Sequence, residues 1–262
     1  MSTLVCFHAH PDDECLITGG TIKKASQDGH RVVLVVATGG EQGEYPEGFL
    51  NDRSELKAVR HKELLESAAV LGISKIYFLG YEDSGMMGTA SNENELSFFR
   101  ANVDAAAKKL AAILSDEMAD TLTIYDEIGG YGHPDHIMVY RVGKLAAEIA
   151  GIADVLQATM NRDKVTEIMN REKNQDPSSM SLEDQQTLDA ENFGMPATLI
   201  NMAVDVSDVV MVKRSALAKH ESQVQSSAFV FNLSDQLFVE VFGTEWFIAK
   251  GERGKITRHS IF

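Results

Sequence analysis

The feature that most restricts the fold is a rhythm. Short apolar runs rich in β-branched residues alternate with longer segments whose apolar residues recur at helical spacing. The clearest run is Arg-Val-Val-Leu-Val-Val-Ala at 31–37, and others fall at 3–8, 75–79, 120–125 and 153–157. These read as strands covered on both faces. Helices are expected between them at 16–26, 53–71, 96–114 and 137–149, with Gly72 placed to stop the second. Strand–helix alternation of this kind specifies an α/β fold, Rossmann-like and doubly wound, around a mainly parallel sheet. Right-handed crossovers then gather the C-terminal ends of the parallel strands at one edge, where such sheets bind ligands.

The rhythm breaks at 161–194, a polar stretch with short helices expected at 163–173 and 181–191. It reads as a helical insertion or cap. Residues 198–262 read as a C-terminal extension, with strands at 198–204 and 245–249 and helices at 209–220 and 235–242. The whole of 1–262 is expected to be one domain carrying these additions.

Composition works by exclusion. With 24 basic and 39 acidic residues the formal charge is -15, which disfavours nucleic-acid or anionic-membrane binding. An anionic substrate in a local basic pocket stays compatible with it. No run of about 18 apolar residues occurs, so no membrane span is expected. The first residues lack a basic region followed by a long apolar stretch, so a soluble cytoplasmic protein is expected. Cys6 and Cys15 cannot make a disulfide framework and read as buried thiols. No glycine-rich phosphate loop is present, and no nucleotide cofactor is expected. Homo-oligomerisation is left open.

Two constellations carry chemistry. Ala9-His10-Pro11-Asp12-Asp13-Glu14 follows the first strand, and Gly129-Gly130-Tyr131-Gly132-His133-Pro134-Asp135-His136 follows the fourth. In the first, Pro11 suits the first turn of a helix, and His10 and Asp13, three apart, can face one point. An acidic helix start would explain one or two of these carboxylates, favoured by the helix dipole. It does not explain a histidine at the end of a buried strand, nor a second His-Pro-Asp at the same sheet edge. One histidine and one carboxylate from the first unit and one histidine from the second suit a catalytic zinc or ferrous iron with an open position. A remaining carboxylate can then act as base to a metal-activated water, and the leftover histidine can serve the substrate carbonyl or the leaving amine. Spacing alone does not say which Asp binds metal.

These residues together resemble the PIG-L/LmbE-like zinc-dependent de-N-acetylases. Gly40-Glu41-Gln42-Gly43-Glu44 is similar to that family's Gly-Glu loop. Arg60, Glu63 and Ala68-Ala69-Val70-Leu71-Gly72 resemble its following helix. Asp83-Ser84-Gly85-Met86 resembles the loop of the branch that deacetylates mycothiol precursors or cleaves mycothiol conjugates. His220-Glu221-Ser222-Gln223 is related more loosely. The resemblance implies His10, Asp13 and His136 as ligands of zinc, with ferrous iron as the alternative. It implies Asp12 as general base, and His133 as general acid or oxyanion stabiliser, oriented and kept protonated by Asp135. Tyr131 would assist at the tetrahedral intermediate. Arg60, Asp83 and Glu44 would contact a small amino-sugar substrate, and Glu14 would be structural. The implied reaction is removal of an acetyl group from an N-acetylglucosamine-type substrate. An amidase for a larger acyl group is the nearest alternative, and a non-catalytic sugar- or metal-binding protein is the alternative of another class.

Overall fold

Each apolar run becomes a strand, in one continuous sheet. The computed structural model describes residues 1–175, 193–224 and 228–262. Its strands are β1 (Thr3–His8), β2 (Arg31–Thr38), β3 (Lys75–Tyr81), β4 (Thr121–Tyr125), β5 (Asp154–Thr159), β6 (Met202–Asp205) and β7 (Thr244–Ile248). They lie in the order β3-β2-β1-β4-β5-β7-β6. The first five are mutually parallel. β7 runs antiparallel to both β5 and β6, so the C-terminal extension completes the main sheet.

Alternate residues of the strands feed two apolar layers, as the period of 2 requires. On one face Leu4, Cys6, Val32, Leu34 and Val36 pack with Ile22, Leu64, Leu71, Val210, Leu217 and Phe238. These come from α2 (Gly19–Gln27), α3 (Leu56–Leu71), α7 (Val210–Leu217) and α8 (Asp235–Phe242). On the other face Val5, Phe7, Val33, Val35, Leu122 and Ile124 pack with Leu110, Leu114, Met138, Val139 and Val142. These last belong to α4 (Val103–Asp116) and α5 (Pro134–Ala150). The extension is tied in by a buried carboxylate. Glu245 accepts the N–H groups of Gly20 and Thr21 at 2.8 Å each, at the start of α2, and pairs with Lys213 at 2.7 Å.

The chain winds from β1 outward to β3, then returns to the other side of β1 with β4. The order reverses between β1 and β4, and the segments leaving those strands are residues 9–13 and 126–136. A crevice at such a reversal is where a sheet of this kind takes its ligand.

The structure departs from the expected elements in three places. The helix expected at 16–26 begins earlier and is broken at Thr18 into α1 (Asp13–Ile17) and α2, because the Thr18 hydroxyl bonds to His8 and to the Glu14 carbonyl. Pro11 therefore lies before the helix and not in its first turn. The helix expected at 96–114 starts only at Val103, where the Asn102 side chain caps it by accepting the Ala105 N–H at 2.9 Å. The strand expected at 198–204 is a 3-10 turn at Ala197–Leu199 followed by β6. Asn201 is spent there on the backbone of Ala249 and Glu252. In the insertion, α6 (Arg162–Gln175) forms as expected. The helix expected at 181–191 lies outside the described residues. No helix among the described residues is long and apolar enough to cross a membrane.

Candidate metal centre

The two His-Pro-Asp units meet at the reversal point. His10 Nδ1 lies 3.3 Å from His136 Nε2. Asp13 presents one carboxylate oxygen to each, at 3.4 Å from His10 Nδ1 and 3.4 Å from His136 Nε2. A tetrahedral ion with bonds of about 2.0–2.1 Å holds its ligands about 3.3–3.4 Å apart, so these separations fit zinc. The Asp13 carboxylate is itself held, since its Oδ2 accepts the His10 backbone N–H at 2.8 Å. Burial opposes its ionisation, but His136 and His10 outweigh burial and hold Asp13 well below the usual carboxylate range.

The hydrogen bonds around the three imidazoles sort them. His136 Nδ1 meets the carbonyl oxygen of Gly129 at 3.2 Å. A carbonyl only accepts, so Nδ1 carries the proton and Nε2 presents a lone pair. His10 Nε2 meets the Asp135 carboxylate at 3.2 Å, so a neutral His10 ring carries its proton there and turns Nδ1 toward Asp13 and His136. His133 is the reverse. Its Nδ1 accepts the Asp135 backbone N–H at 3.2 Å, so the neutral ring carries its proton on Nε2. As neutral rings, two histidines therefore offer lone pairs and the third offers an N–H. All three rings are buried, with ligand-type atoms within 4.8 Å of one another.

Glycine makes one of these bonds possible. Gly129 has φ 68°, and a Cβ there would stand 2.6 Å from His136 Cβ. Asp126 shapes the same turn, accepting the N–H groups of Ile128 and Gly130 at 3.1 and 2.9 Å. The turn carries Tyr131 at the rim, 43% exposed, its ring centroid 4.9 Å from that of His136. The Gly194 N–H bonds back to the Gly130 carbonyl at 2.6 Å, so the end of the insertion borders this rim.

The pocket favours positive charge. Around His10 lie Asp13, Asp83 at 3.6 Å from Nε2, and Asp135 at 3.2 Å. Burial alone would lower the imidazole, but Asp83, Asp13 and Asp135 together raise it well above its ordinary value, so the ring holds a second proton that a cation would displace from Nδ1. Such a carboxylate shell around His10 Nδ1 and His136 Nε2 fits a bound dication.

Asp12 stands beside this cluster in the left-handed region, with φ 108°. Its carboxylate accepts from Arg60 Nη2 at 3.1 Å and is 20% exposed. Burial raises it to about 6 against the opposing pull of Arg60. A carboxylate so placed can take up a proton near neutral pH. His133 is pushed down to about 3, by burial first and then by the neighbouring imidazoles.

Two expectations need correction. Asp135 does not use its carboxylate to orient His133 or to keep it protonated. The carboxylate is bonded to His10 and to the N–H and hydroxyl of Ser84, and only the Asp135 backbone N–H serves His133. Arg60 is not open to a substrate. It is 3% exposed, and its guanidinium donates to the carbonyls of Gly40 and Pro11 as well as to Asp12. Gly40, with φ 68°, leaves the room that this guanidinium fills. Asp83 is also buried, accepting the N–H groups of Gln42 and Gly85, with Oδ1 toward His10. Glu44 is exposed on the loop after β2, and its carbonyl accepts from Gln223.

Three supporting residues were not singled out from the sequence. Ser84 clamps Asp135 through both its N–H and its hydroxyl. Tyr125 stacks on His136 at 4.5 Å between centroids and bonds to His8 at 2.8 Å. His220 reaches Glu14 at 3.0 Å from the far end of the chain. The signal for Ser84 and His220 was their place in the two quoted tetrapeptides. For Tyr125, at the end of an apolar strand, there was none. Cys15 packs against Ser67 and Glu14, a buried thiol away from the three imidazoles.

Comparison with known proteins shows the family. The family model described as PIG-L, GlcNAc-PI de-N-acetylase, matches residues 5–147. A 1D-myo-inositol 2-acetamido-2-deoxy-alpha-D-glucopyranoside deacetylase of Acidothermus cellulolyticus is 35% identical over 94% of this chain and 88% of its own length. A deacetylase of the same name from Thermomonospora curvata is 35% identical over 94% of this chain and 90% of its own. Among solved structures, the N,N'-diacetylchitobiose deacetylase of Pyrococcus horikoshii is 26% identical, with a TM-score of 0.57 over 95% of this chain and 83% of that one. The β1 and β4 turns that build the site both fall within the matched segment, and the chain belongs to the PIG-L family.

Proposed function

We propose that this protein is a metal-dependent hydrolase that removes the acetyl group from an N-acetylglucosamine-type substrate. The observation that carries the reading is the sorting of the imidazoles, two with a nitrogen turned toward Asp13 and one with its N–H toward the same space. The relatives' names support an inositol aglycone on the sugar. His10, Asp13 and His136 would hold the cation, zinc in our reading with ferrous iron as the alternative. When bound, the cation polarises the amide carbonyl and lowers the pKa of a neighbouring water toward about 7.

The chain's own residues do the rest. The Asp12 carboxylate takes the proton of the attacking water, with Arg60 fixing its direction. The His133 Nε2–H donates to the oxygen on which charge develops, a contribution of about 3–4 kcal/mol. Because burial keeps His133 neutral, the proton for the departing amine comes from Asp12. Tyr131, at the rim, offers its hydroxyl as a second donor to the same oxygen. Asp135 and Asp83 hold His10, and Glu44, exposed on the loop after β2, would contact a sugar substituent. Residues 1–262 act as one catalytic domain, in which Gly194 borders the entrance and β6 and β7 complete the sheet. The buried free thiols Cys6 and Cys15 suit the cytoplasm.

The test is amine release from N-acetylglucosaminyl-inositol and other N-acetylglucosamine derivatives. It uses chelator-treated protein with zinc or ferrous iron added back. Release that depends on metal supports the reading, and the best substrate identifies the aglycone. Bound metal without release would favour the larger-acyl amidase.

A further inference from the structure

The base of the proposed reaction stands in a backbone conformation that does not sustain itself. Asp12 and Met118 are the non-glycine residues with positive φ among those described. Such a conformation persists only where its surroundings over-determine it. Arg60 grips the Asp12 side chain. The backbone is gripped separately, because the Asp12 N–H donates to Glu14 Oε2 at 2.9 Å.

Glu14 is fully buried, and its other oxygen gathers three donors. Ser67 Oγ lies at 2.7 Å, Cys15 Sγ at 3.2 Å and His220 Nε2 at 3.0 Å. His220 is the one ion-pair partner of Glu14 among the described residues. It lies outside the segment 5–147 matched by the family model. Its neighbours pin it in place. Ser222 donates to Glu63 through N–H and hydroxyl at 2.7 and 2.6 Å, and Gln223 donates to the Glu44 carbonyl at 3.1 Å.

We propose that His220 is a positioning residue for the reaction: through Glu14 it holds the Asp12 backbone in the left-handed turn that aims the Asp12 carboxylate. The role rests on Asp12 acting as base, as given above. Without the imidazole, Glu14 loses its one ion-pair partner among the described residues and turns toward its other donors. The Asp12 N–H then loses its acceptor, the turn relaxes toward negative φ, and the carboxylate swings away from Arg60. The three nitrogen and oxygen donors of the metal cluster are untouched by this chain of contacts.

Two measurements on the full chain with zinc bound test it. His220→Leu removes the donor, and His220→Gln returns an amide N–H near the same place. For His220→Leu we expect kcat to fall about 10–100-fold, as a misaimed group costs. KM should stay within about twofold, with zinc still bound at wild-type stoichiometry. His220→Gln should recover kcat to within about fivefold of wild type. Hydrogen exchange of the Asp12 amide, followed by NMR, should accelerate in His220→Leu and return toward the wild-type rate in His220→Gln. If the leucine variant does not fold, His220→Asn, too short to reach Glu14, replaces it with the same expected outcomes. An unchanged kcat, a loss confined to KM or zinc binding, or an unaltered Asp12 exchange rate would overturn the proposal. Absence of any amine release by the wild-type protein would instead sink the deacetylase reading, and the exchange measurement would still decide the clasp.

Discussion

Two turns of this chain carry the same tripeptide, His-Pro-Asp, at the end of a parallel strand, and the fold uses them in opposite ways. After β4, Pro134 opens a helix, and the following Asp135 is already helical, fully buried and bonded to His10 and Ser84. After β1, Pro11 precedes the helix, and Asp12 occupies a left-handed turn with its carboxylate partly open. The histidines differ in the same sense. His10 is bonded to Asp135 at Nε2 and turns Nδ1 to the cluster, whereas His133 is occupied at Nδ1 and carries its N–H at Nε2. The difference lies in what each turn meets. The first meets Arg60 and Glu14, and the second meets the Ser84 loop and the first turn itself. The lesson is that a motif supplies the functional groups, while the neighbouring elements assign their roles.

The largest effect should come from breaking His136, the histidine that the second turn gives to the candidate metal cluster. His136→Ala is expected to abolish stoichiometric zinc binding, measured by metal analysis, and to lower kcat/KM about 10³-fold or more. Asp12→Asn separates the two aspartates. It should keep its zinc and lose about 10²–10⁴-fold in kcat. A variant with near-normal turnover would remove Asp12 from the role of base.

His133→Ala tests the donor side and should lower kcat about 10²–10³-fold with metal retained. Asp135→Asn is the sharpest test of the contrast between the turns. Because its carboxylate holds His10, we expect zinc affinity in a competition titration to weaken about 10–100-fold. If zinc affinity were unmoved and only the pH profile changed, Asp135 would be serving His133 after all.

The smallest effect is on pH dependence. Burial raises Asp12 to about 6 in the metal-free protein, and a bound dication draws it lower. If Asp12 is the base it works ionised, so kcat/KM should hold at neutral pH and fall as the pH drops through this carboxylate's pKa, at or below about 6. An acid limb well above that would belong to another group.

Much of this was legible in the sequence. The β-branched runs gave strands at the expected places because burial on both faces leaves no polar alternation to misread. The left-handed Gly72 ended α3 where it was expected, since glycine tolerates that conformation. Less legible were the breaks at Thr18, at Asn102 and before β6. Each is set by a side-chain hydrogen bond to a specific partner, and such bonds leave no periodic trace. Arg60 was legible as a residue of the site but not as a buried one. Its burial depends on the room at Gly40 and on acceptors drawn from two loops.

By itself, then, the sequence determined the α/β winding, the edge of the sheet at which chemistry collects, and the set of histidines and carboxylates there. Those follow from local periodicity and from which side chains the turns contain. Only the tertiary structure decided which acceptor or donor each imidazole nitrogen meets, which aspartate is open and which is clamped, and that His220 reaches Glu14 beside the Asp12 turn. Protonation and aim depend on the nearest acceptor or donor in space, and here those partners lie up to 206 residues away along the chain.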